Sequence, residues 1–362
     1  MTDNFPDLTQ QNFSKEEIIS LLGTTNTKEM EIVRSAAEKM LLKNCGNNVY
    51  FRGLIEFSNF CRSDCYYCGI RKSNKSTKRY EVSIEDVLNV ADWCVRQGYG
   101  SMVIQAGERQ NKRFIDRITE AVKQVKDKTR SDKLPQGLGI TLSVGEQTPE
   151  AYQRFFDAGA HRYLLRVETT NPELYAKIHP PEQTLEARIS CLHSLREVGY
   201  QVGTGVMIGL PGQTLEDLAE DILFFKREDI DMIGMGPFIP NDETPLGHET
   251  CPNDAERVRL ALLMIAATRL VLKDVNIAST TALQALDPSG REKGLSFGAN
   301  VMMPLMTPHN VRENYLLYPG KPGLHQDSQA VHADLERRIK SIGREIGKND
   351  WGDSPHFKKK LN

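Results

Sequence analysis

The chain has 362 residues and a formal net charge of −2 at pH 7. That length suits one large barrel or two ordinary domains, and the charge balance gives no global basicity that would argue for nucleic acid. The N-terminal stretch MTDNFPDLTQ has neither a basic region nor an apolar core, so it does not read as a signal peptide. The apolar run at 261–267 ends at Thr268 and Arg269, too short to span a membrane. An odd number of cysteines, 7, argues against a disulfide framework and for a cytoplasmic protein with reduced thiols.

In chain order, residues 1–48 read as a helical extension. Ser14-Lys15-Glu16-Glu17 opens an apolar-periodic stretch through Leu21 and Leu22, and Thr27 begins a second with Ile32, Val33, Ala36, Ala37, Met40 and Leu41 at helical spacing. After Gly46, short apolar runs alternate with longer helical patterns, the mark of a parallel α/β sheet or barrel. Strand-like runs fall at Phe51–Phe57, Ser101–Ala106, Leu138–Val144, Arg162–Val167, Val202–Ile208, Met232–Ile239, Asn276–Ala282 and Asn300–Leu305. Helical patterns lie between them: one from the capping-box-like Ser83 to near Gly98, then 112–129, 149–158, 184–198, 214–228 and 254–272, with a short segment from Gly290 to Phe297. Eight strands in βα order predict an α/β fold, a (β/α)8 TIM-type barrel over 49–318; a partial six-strand barrel is the alternative. Residues 319–362 form a polar C-terminal extension with one charged helix pattern (Gln329 to Ile346), expected to pack outside the barrel.

The chemistry starts at Cys61-Arg62-Ser63-Asp64-Cys65-Tyr66-Tyr67-Cys68, on a loop just past the first strand. Three thiolates at C-x3-C-x2-C suit an iron–sulfur cube, and the missing fourth ligand leaves one iron open to a substrate or cosubstrate. Zinc with a ligand from elsewhere, or free thiols, are the other readings; neither a second CxxC nor an HxxxH partner supports zinc. Cys94 and Cys191 fall in amphipathic helical patterns and read as buried small hydrophobes, and Cys251 as a stray loop thiol. Barrel strands alternate inward and outward. Thr141, Ser143 and Gly145 therefore share one face of the third strand, and Arg166 and Glu168 share one at the end of the fourth. Packing alone would favour aliphatics there, although Arg166 and Glu168 could simply pair with each other. Gly209-Leu210-Pro211-Gly212-Gln213-Thr214 is a strand-to-helix turn, not a phosphate loop, because the Gly-Lys-Ser/Thr ending is absent. No pair of histidines falls at a metal-binding helical spacing, and none is assigned a role.

CRSDCYYC, with an aromatic before its last cysteine and Gly69 after it, resembles the signature of the radical S-adenosylmethionine (SAM) superfamily. The segments FSNFCRSDCYYCGIRKSNKSTKRY, ITLSVGE, RYLLRVETTNPELY, GLPGQT, GMGPFIPNDETPL and GANVMMP extend the similarity to the HydE-type FeFe-hydrogenase maturases of the biotin-synthase-like branch. The resemblance implies one 4Fe-4S cluster on Cys61, Cys65 and Cys68, and SAM bound at the open iron, cleaved by one electron to methionine and a 5′-deoxyadenosyl radical. It implies SAM contacts from Ser143, Glu168 and Arg188, an adenine-side role for Tyr67, and help with the SAM amine from Glu108. It also implies a substrate cavity ringed by Thr141, Arg166, Thr280, Thr281, Met303 and Tyr315. The substrate would be a small cysteine-bound iron complex with carbonyl and cyanide, and the partners other hydrogenase maturases and an electron donor, with no nucleic acid and no membrane. Some relatives carry a second cysteine cluster near the C-terminus; no cysteine follows Cys251 here. A mutase resembling methylornithine synthase shares the barrel and stays open. Sulfur insertion of the biotin-synthase kind needs strand cysteines, and the strands around Ser101, Ile140 and Gly203 have none. A non-catalytic iron–sulfur carrier is the reading from another class.

Overall fold

A computed structural model describes residues 5–361. The N-terminal extension forms α1 (Lys15–Leu22) and α2 (Thr27–Cys45). Ser14 and Glu17 close a capping box on α1, which satisfies the helix's first free amides. The two helices lie against the outer layer, α1 on α8 (Leu215–Arg227) and α2 on α9 (Asp254–Leu272).

The barrel staves follow. β1 (Asn48–Ser58), β2 (Ser101–Ala106), β3 (Gly139–Ser143), β4 (Ala160–Leu164) and β5 (Gln201–Thr204) pair in parallel in that order. β5 is prolonged by β6 (Met207–Ile208), and β7 (Met232–Ile233) by β8 (Gly236–Pro237). β9 (Asn276–Ile277) and β10 (Val301–Met302) complete the set. β10 returns to pair with β1, and an Ala278–Val301 bridge joins the β9 and β10 staves, so eight staves close on themselves. The expected (β/α)8 barrel is therefore complete rather than partial.

Two staves break where one continuous strand was expected. A Cβ on Gly205 would stand 1.8 Å from the Gly234 carbonyl oxygen, so the two backbones touch at that height and both ladders interrupt there. The run expected through Ala282 ends at Ile277, because the chain turns at Ser279 and Thr280 into α10 (Thr281–Leu286); α11 (Gly290–Ser296) follows. The remaining helices are α3 (Ile84–Arg96), capped by Ser83 and Asp86 as expected, α4 (Lys112–Lys128), α5 (Pro149–Asp157) and α7 (Leu185–Val198). Sequence periodicity missed α6 (Pro172–Ile178), although Asn171 as cap and Pro172 at its start are readable signals. Among the described residues no helix is long and apolar enough to cross a membrane.

The C-terminal extension departs most from expectation. After the one-turn α12 (His309–Arg312) come α13 (Ser328–Ser341), β11 (Glu345–Ile346) beside the start of β1, and α14 (Pro355–Lys360). Residues 351–354, between β11 and α14, lie across the N-terminal mouth of the barrel instead of packing outside it. The Trp351 carbonyl accepts from Ser101 Oγ and Arg162 Nη1, both at 2.7 Å, and the Gly352 carbonyl from Asn276 Nδ2 at 2.8 Å and Arg52 Nη2 at 3.2 Å. Buried polar groups at the strand starts need partners, and this tail supplies them.

Candidate active site

The opposite, C-terminal mouth holds the cysteine loop. β1 ends at Ser58, and the loop beyond it carries Cys61, Cys65 and Cys68, all free thiols. Close packing holds it. A Cβ on Gly107 would meet the Phe60 carbonyl oxygen at 2.5 Å, and one on Gly69 the Leu316 carbonyl oxygen at 2.1 Å, so only glycine lets β2 and the segment after β10 approach. Arg79 staples the far side by donating to the carbonyls of Asn59 and Arg71 at 2.6 Å and Ile70 at 2.7 Å.

The donor set fits an iron–sulfur cluster. Burial pushes all three thiols up, Cys65 to about 12; the thiols of Cys61 and Cys65 add to the rise at Cys68, and Arg188 partly offsets it at Cys65. The three half-buried thiols come from one loop; their thiolates would repel one another in the bare loop and would be stabilised around a polycationic centre.

Below the loop a cavity of about 200 Å³ opens into the barrel. Its wall brings together Tyr67, Cys68, Ser143, Arg166, Glu168, Thr280, Thr281 and Met303. Glu168 has φ +67°, a region a non-glycine residue rarely occupies. It is held there by its amide to the Gly205 carbonyl (3.0 Å) and its carbonyl to the Met207 amide (2.9 Å). Its carboxylate pairs with Arg166 Nη2 at 2.8 Å; burial pushes its pKa up, and Arg166 and then Arg188 pull against that. Arg166 also donates to the Val206 carbonyl at 2.8 Å, while its Nε has no partner. Thr280 Oγ1 is likewise buried without a partner, and Thr281 shares a 2.9 Å hydrogen bond with Tyr318.

Four expected residues lie elsewhere. Thr141, two residues below Ser143, accepts from Arg162 Nε at 3.0 Å and lines a small pocket of about 20 Å³ deeper in the barrel, which shares Leu164 and Met303 with the cavity. Tyr315 does not line the cavity: it is 1% exposed, its ring lies beneath Lys321, and its carbonyl accepts from Lys321 Nζ at 3.1 Å. Glu108 and Arg188 stand behind the cysteine loop. Glu108 accepts from Ser63 Oγ at 3.0 Å and from the Glu146 amide at 2.9 Å, which ties the loop to the end of β3. Arg188 is 8% exposed and pairs through Nε with Glu146 at 2.7 Å.

Sequence reasoning missed three features. His179 contacts Tyr67 Oη at 3.3 Å and stacks on Tyr175; burial, then Arg188, push its pKa down to about 3, so it is neutral. Glu146 anchors Arg188. Glu56 and Lys321 form a buried ion pair on the cavity wall. A histidine between helix and turn, a carboxylate after a strand end and a lysine in a polar tail carry no distinctive spacing.

Residues 55–225 match the Radical SAM superfamily. The chain is 41% identical over 345 residues to the [FeFe] hydrogenase maturase subunit HydE of Thermotoga maritima, covering 95% of each chain. Among solved structures it is similar to methylornithine synthase (PylB), TM-score 0.78 at 21% identity over 94% of this chain and 96% of that one. The maturase HydG from Carboxydothermus hydrogenoformans gives a TM-score of 0.76 at 19% identity, over 92% and 75%. Those two likenesses concern the fold. With its cysteine loop above an open barrel and this full-length identity, the chain belongs to the HydE family of radical SAM enzymes.

Proposed function

We propose that this chain is a cytoplasmic maturase acting in assembly of the diiron part of the FeFe-hydrogenase H-cluster, with one 4Fe-4S cluster, SAM, an electron donor and other maturases as partners. The observation that carries this reading is the cavity running from Cys68 and Tyr67 to Thr280 and Met303, in a chain matching a HydE over 95% of its length. Cys61, Cys65 and Cys68 would hold the cluster. Bound together and reduced, cluster and SAM would supply 5′-deoxyadenosyl radical chemistry.

The chain's own residues divide the work. The Glu168 carboxylate can accept two hydrogen bonds and suits a ribose diol, with Ser143 beside it on the same wall. Arg188 has terminal nitrogens beyond the Nε that Glu146 occupies and suits a carboxylate near Cys65. Tyr67, held edge-on by neutral His179 at 5.4 Å, offers a ring to the adenine. Glu108 positions the loop through Ser63 and is not a SAM ligand in this reading. Lower down, Arg166 and the unpartnered Thr280 hydroxyl suit a small anionic iron complex. Apart from Cys68, no cysteine is found among the described residues lining the cavity, which weighs against sulfur insertion from a second cluster.

The test is anaerobic. Reconstituted protein with SAM and a strong reductant should yield 5′-deoxyadenosine, and apo-hydrogenase with the remaining maturases should gain hydrogen production only when this protein is added. SAM cleavage coupled to rearrangement of an amino acid, without hydrogenase activation, would replace the maturase reading with a mutase.

A further inference from the structure

The loop that carries Cys61, Cys65 and Cys68 shows the solvent an aromatic ring. Phe60, directly before Cys61, is 41% exposed. The Arg109 guanidinium lies 5.6 Å from its ring centroid, and Arg62, on the other side of Cys61, is exposed. A lone exposed aromatic is ordinary, but this one has a cationic border. Residues 71–79 contain Arg71, Lys72, Lys75, Lys78 and Arg79 and no acid, in a chain whose net charge is −2.

That segment is tied to the cysteine loop through its backbone and its small polar side chains. The Lys72 amide donates to the Ser63 carbonyl at 2.8 Å, and the Lys78 carbonyl accepts from Asn59 Nδ2 at 2.9 Å. Asn74 Nδ2 and Thr77 Oγ1 donate to the Gly69 carbonyl at 2.7 Å and 3.0 Å. Arg71 pairs with Asp64, and Arg79 serves backbone carbonyls. Lys72, Lys75 and Lys78 are exposed, and their ammonium groups have no ion pair or hydrogen bond among the described residues. The neighbouring acids are engaged elsewhere: Asp64 by Arg71 and Ser73, Glu81 by Arg109 and Arg117, Glu108 by Ser63. Glu243, exposed on another segment, accepts from Ser76.

The three lysines are thus held in place by a backbone that does not need their charges. None of them, nor Phe60, lines the cavity. A partner seated on this face touches the cysteine loop and not the substrate space, which suits delivery of electrons rather than of substrate. An aromatic centre inside a charged rim is the usual build of a protein interface, and the rim sets the sign of the partner.

We propose that Phe60, Lys72, Lys75 and Lys78 form the docking surface for the electron donor, a small protein whose redox centre lies beneath an acidic face. The donor gives up one electron and is oxidised, and cleavage of SAM to methionine and the deoxyadenosyl radical consumes that electron. This rests on the reading that Cys61, Cys65 and Cys68 hold a reducible cluster.

The probe is an acidic two-cluster ferredoxin, titrated calorimetrically into the anaerobic holoenzyme with SAM. Reversing the three lysines together (Lys72→Glu, Lys75→Glu, Lys78→Glu) should weaken binding about tenfold at low salt, and the difference should shrink as salt screens it. Phe60→Ala should weaken binding by a similar factor at low and high salt alike, because the contact is apolar. Carbodiimide cross-links from the ferredoxin's carboxylates should fall on Lys72, Lys75 or Lys78. With reduced viologen, a small cation, in place of the ferredoxin, the triple variant should form 5′-deoxyadenosine at the wild-type rate. Equal ferredoxin affinity in wild type and triple variant, cross-links confined to other lysines, or an equal loss of the viologen-driven rate would overturn the proposal. If the wild type yields no 5′-deoxyadenosine even with viologen, the cluster reading fails, and the calorimetry and cross-links still decide whether this face docks an acidic protein.

Discussion

The two mouths of the barrel carry buried charge in opposite states. At the N-terminal mouth most strong groups are answered, with Arg52 Nε and His161 Nδ1 the exceptions. Arg162, fully buried, donates to Thr141, Ser101, Trp351 and Asp353, and its contact with Asp353 is 2.8 Å. Asp353 also meets His161 at 3.0 Å, and these hydrogen bonds and charges hold its carboxyl well below the usual range. At the C-terminal mouth three thiols lie within electrostatic reach of one another, Arg166 Nε and Thr280 Oγ1 lack partners, and Glu168 sits at a strained φ. Unmet buried groups cost free energy, and several of them around one open cavity mark a place for a ligand to complete. The difference separates the end that holds the fold together from the end that does chemistry, as expected for this architecture.

The largest effect should come from removing a thiol at the open mouth. Cys61→Ala, Cys65→Ala or Cys68→Ala deprives the cluster of one of three protein ligands and should abolish iron loading and SAM cleavage while leaving the fold intact. Iron and sulfide analysis with electron paramagnetic resonance of the reduced protein checks this; a fully loaded, active Cys65→Ala enzyme would sink the cluster assignment.

Next in size is the plugged mouth. Asp353→Ala leaves Arg162 buried without its carboxylate, which should cost about 3–5 kcal/mol of stability in denaturant titration. SAM cleavage per bound cluster should stay unchanged at a temperature where the variant is folded. A variant with wild-type stability would show that the tail merely rests on the barrel.

How much of this contrast could be read beforehand differs between the two mouths. The upper one was largely legible: the cysteine spacing, the inward parity of Ser143, Arg166 and Glu168, and the position of loops after strands all follow from local rules. Parity put Thr141 on the face of Ser143 and the resemblance put it on the cavity, but alternation gives the face of a strand and not its height; two residues down, the same face meets Arg162. The lower mouth was not legible. Trp351 to Ser354 has no periodicity, and its value lies in two backbone carbonyls and a carboxylate that meet side chains from β1, β2, β4 and β9. Lys321 was hidden similarly, a lysine in a polar tail whose burial depends on a segment folding back over the cavity.

A smaller effect tests the strained carboxylate. Glu168→Ala should lower SAM affinity by about 1.5–3 kcal/mol, one charge-assisted hydrogen bond, and Glu168→Gln by less because it keeps the shape. Equal affinity in wild type and both variants would make Glu168 a partner of Arg166 and nothing more.

The smallest effect is a pH slope that belongs to the plugged mouth. Burial, then the Arg162 charge, push the His161 pKa down to about 4, despite its contact with Asp353. In the unfolded chain the imidazole takes a proton near pH 6.5, while the folded protein resists until about pH 4. Below pH 6.5 the unfolded state therefore binds more protons, and stability falls by about 1.4 kcal/mol per pH unit from this group until the folded pKa is reached. His179 adds a similar fall, extending to about pH 3. Asp353 acts later: its depressed pKa keeps its contribution intact above the ordinary carboxylate range and loses it only in stronger acid. His161→Asn should thus flatten, without abolishing, the slope of unfolding free energy between pH 6.5 and pH 5, and leave the behaviour below pH 4 in place. An unchanged slope in that variant would mean that water reaches His161 through the tail, and that the lower mouth is less tightly sealed than its hydrogen bonds require.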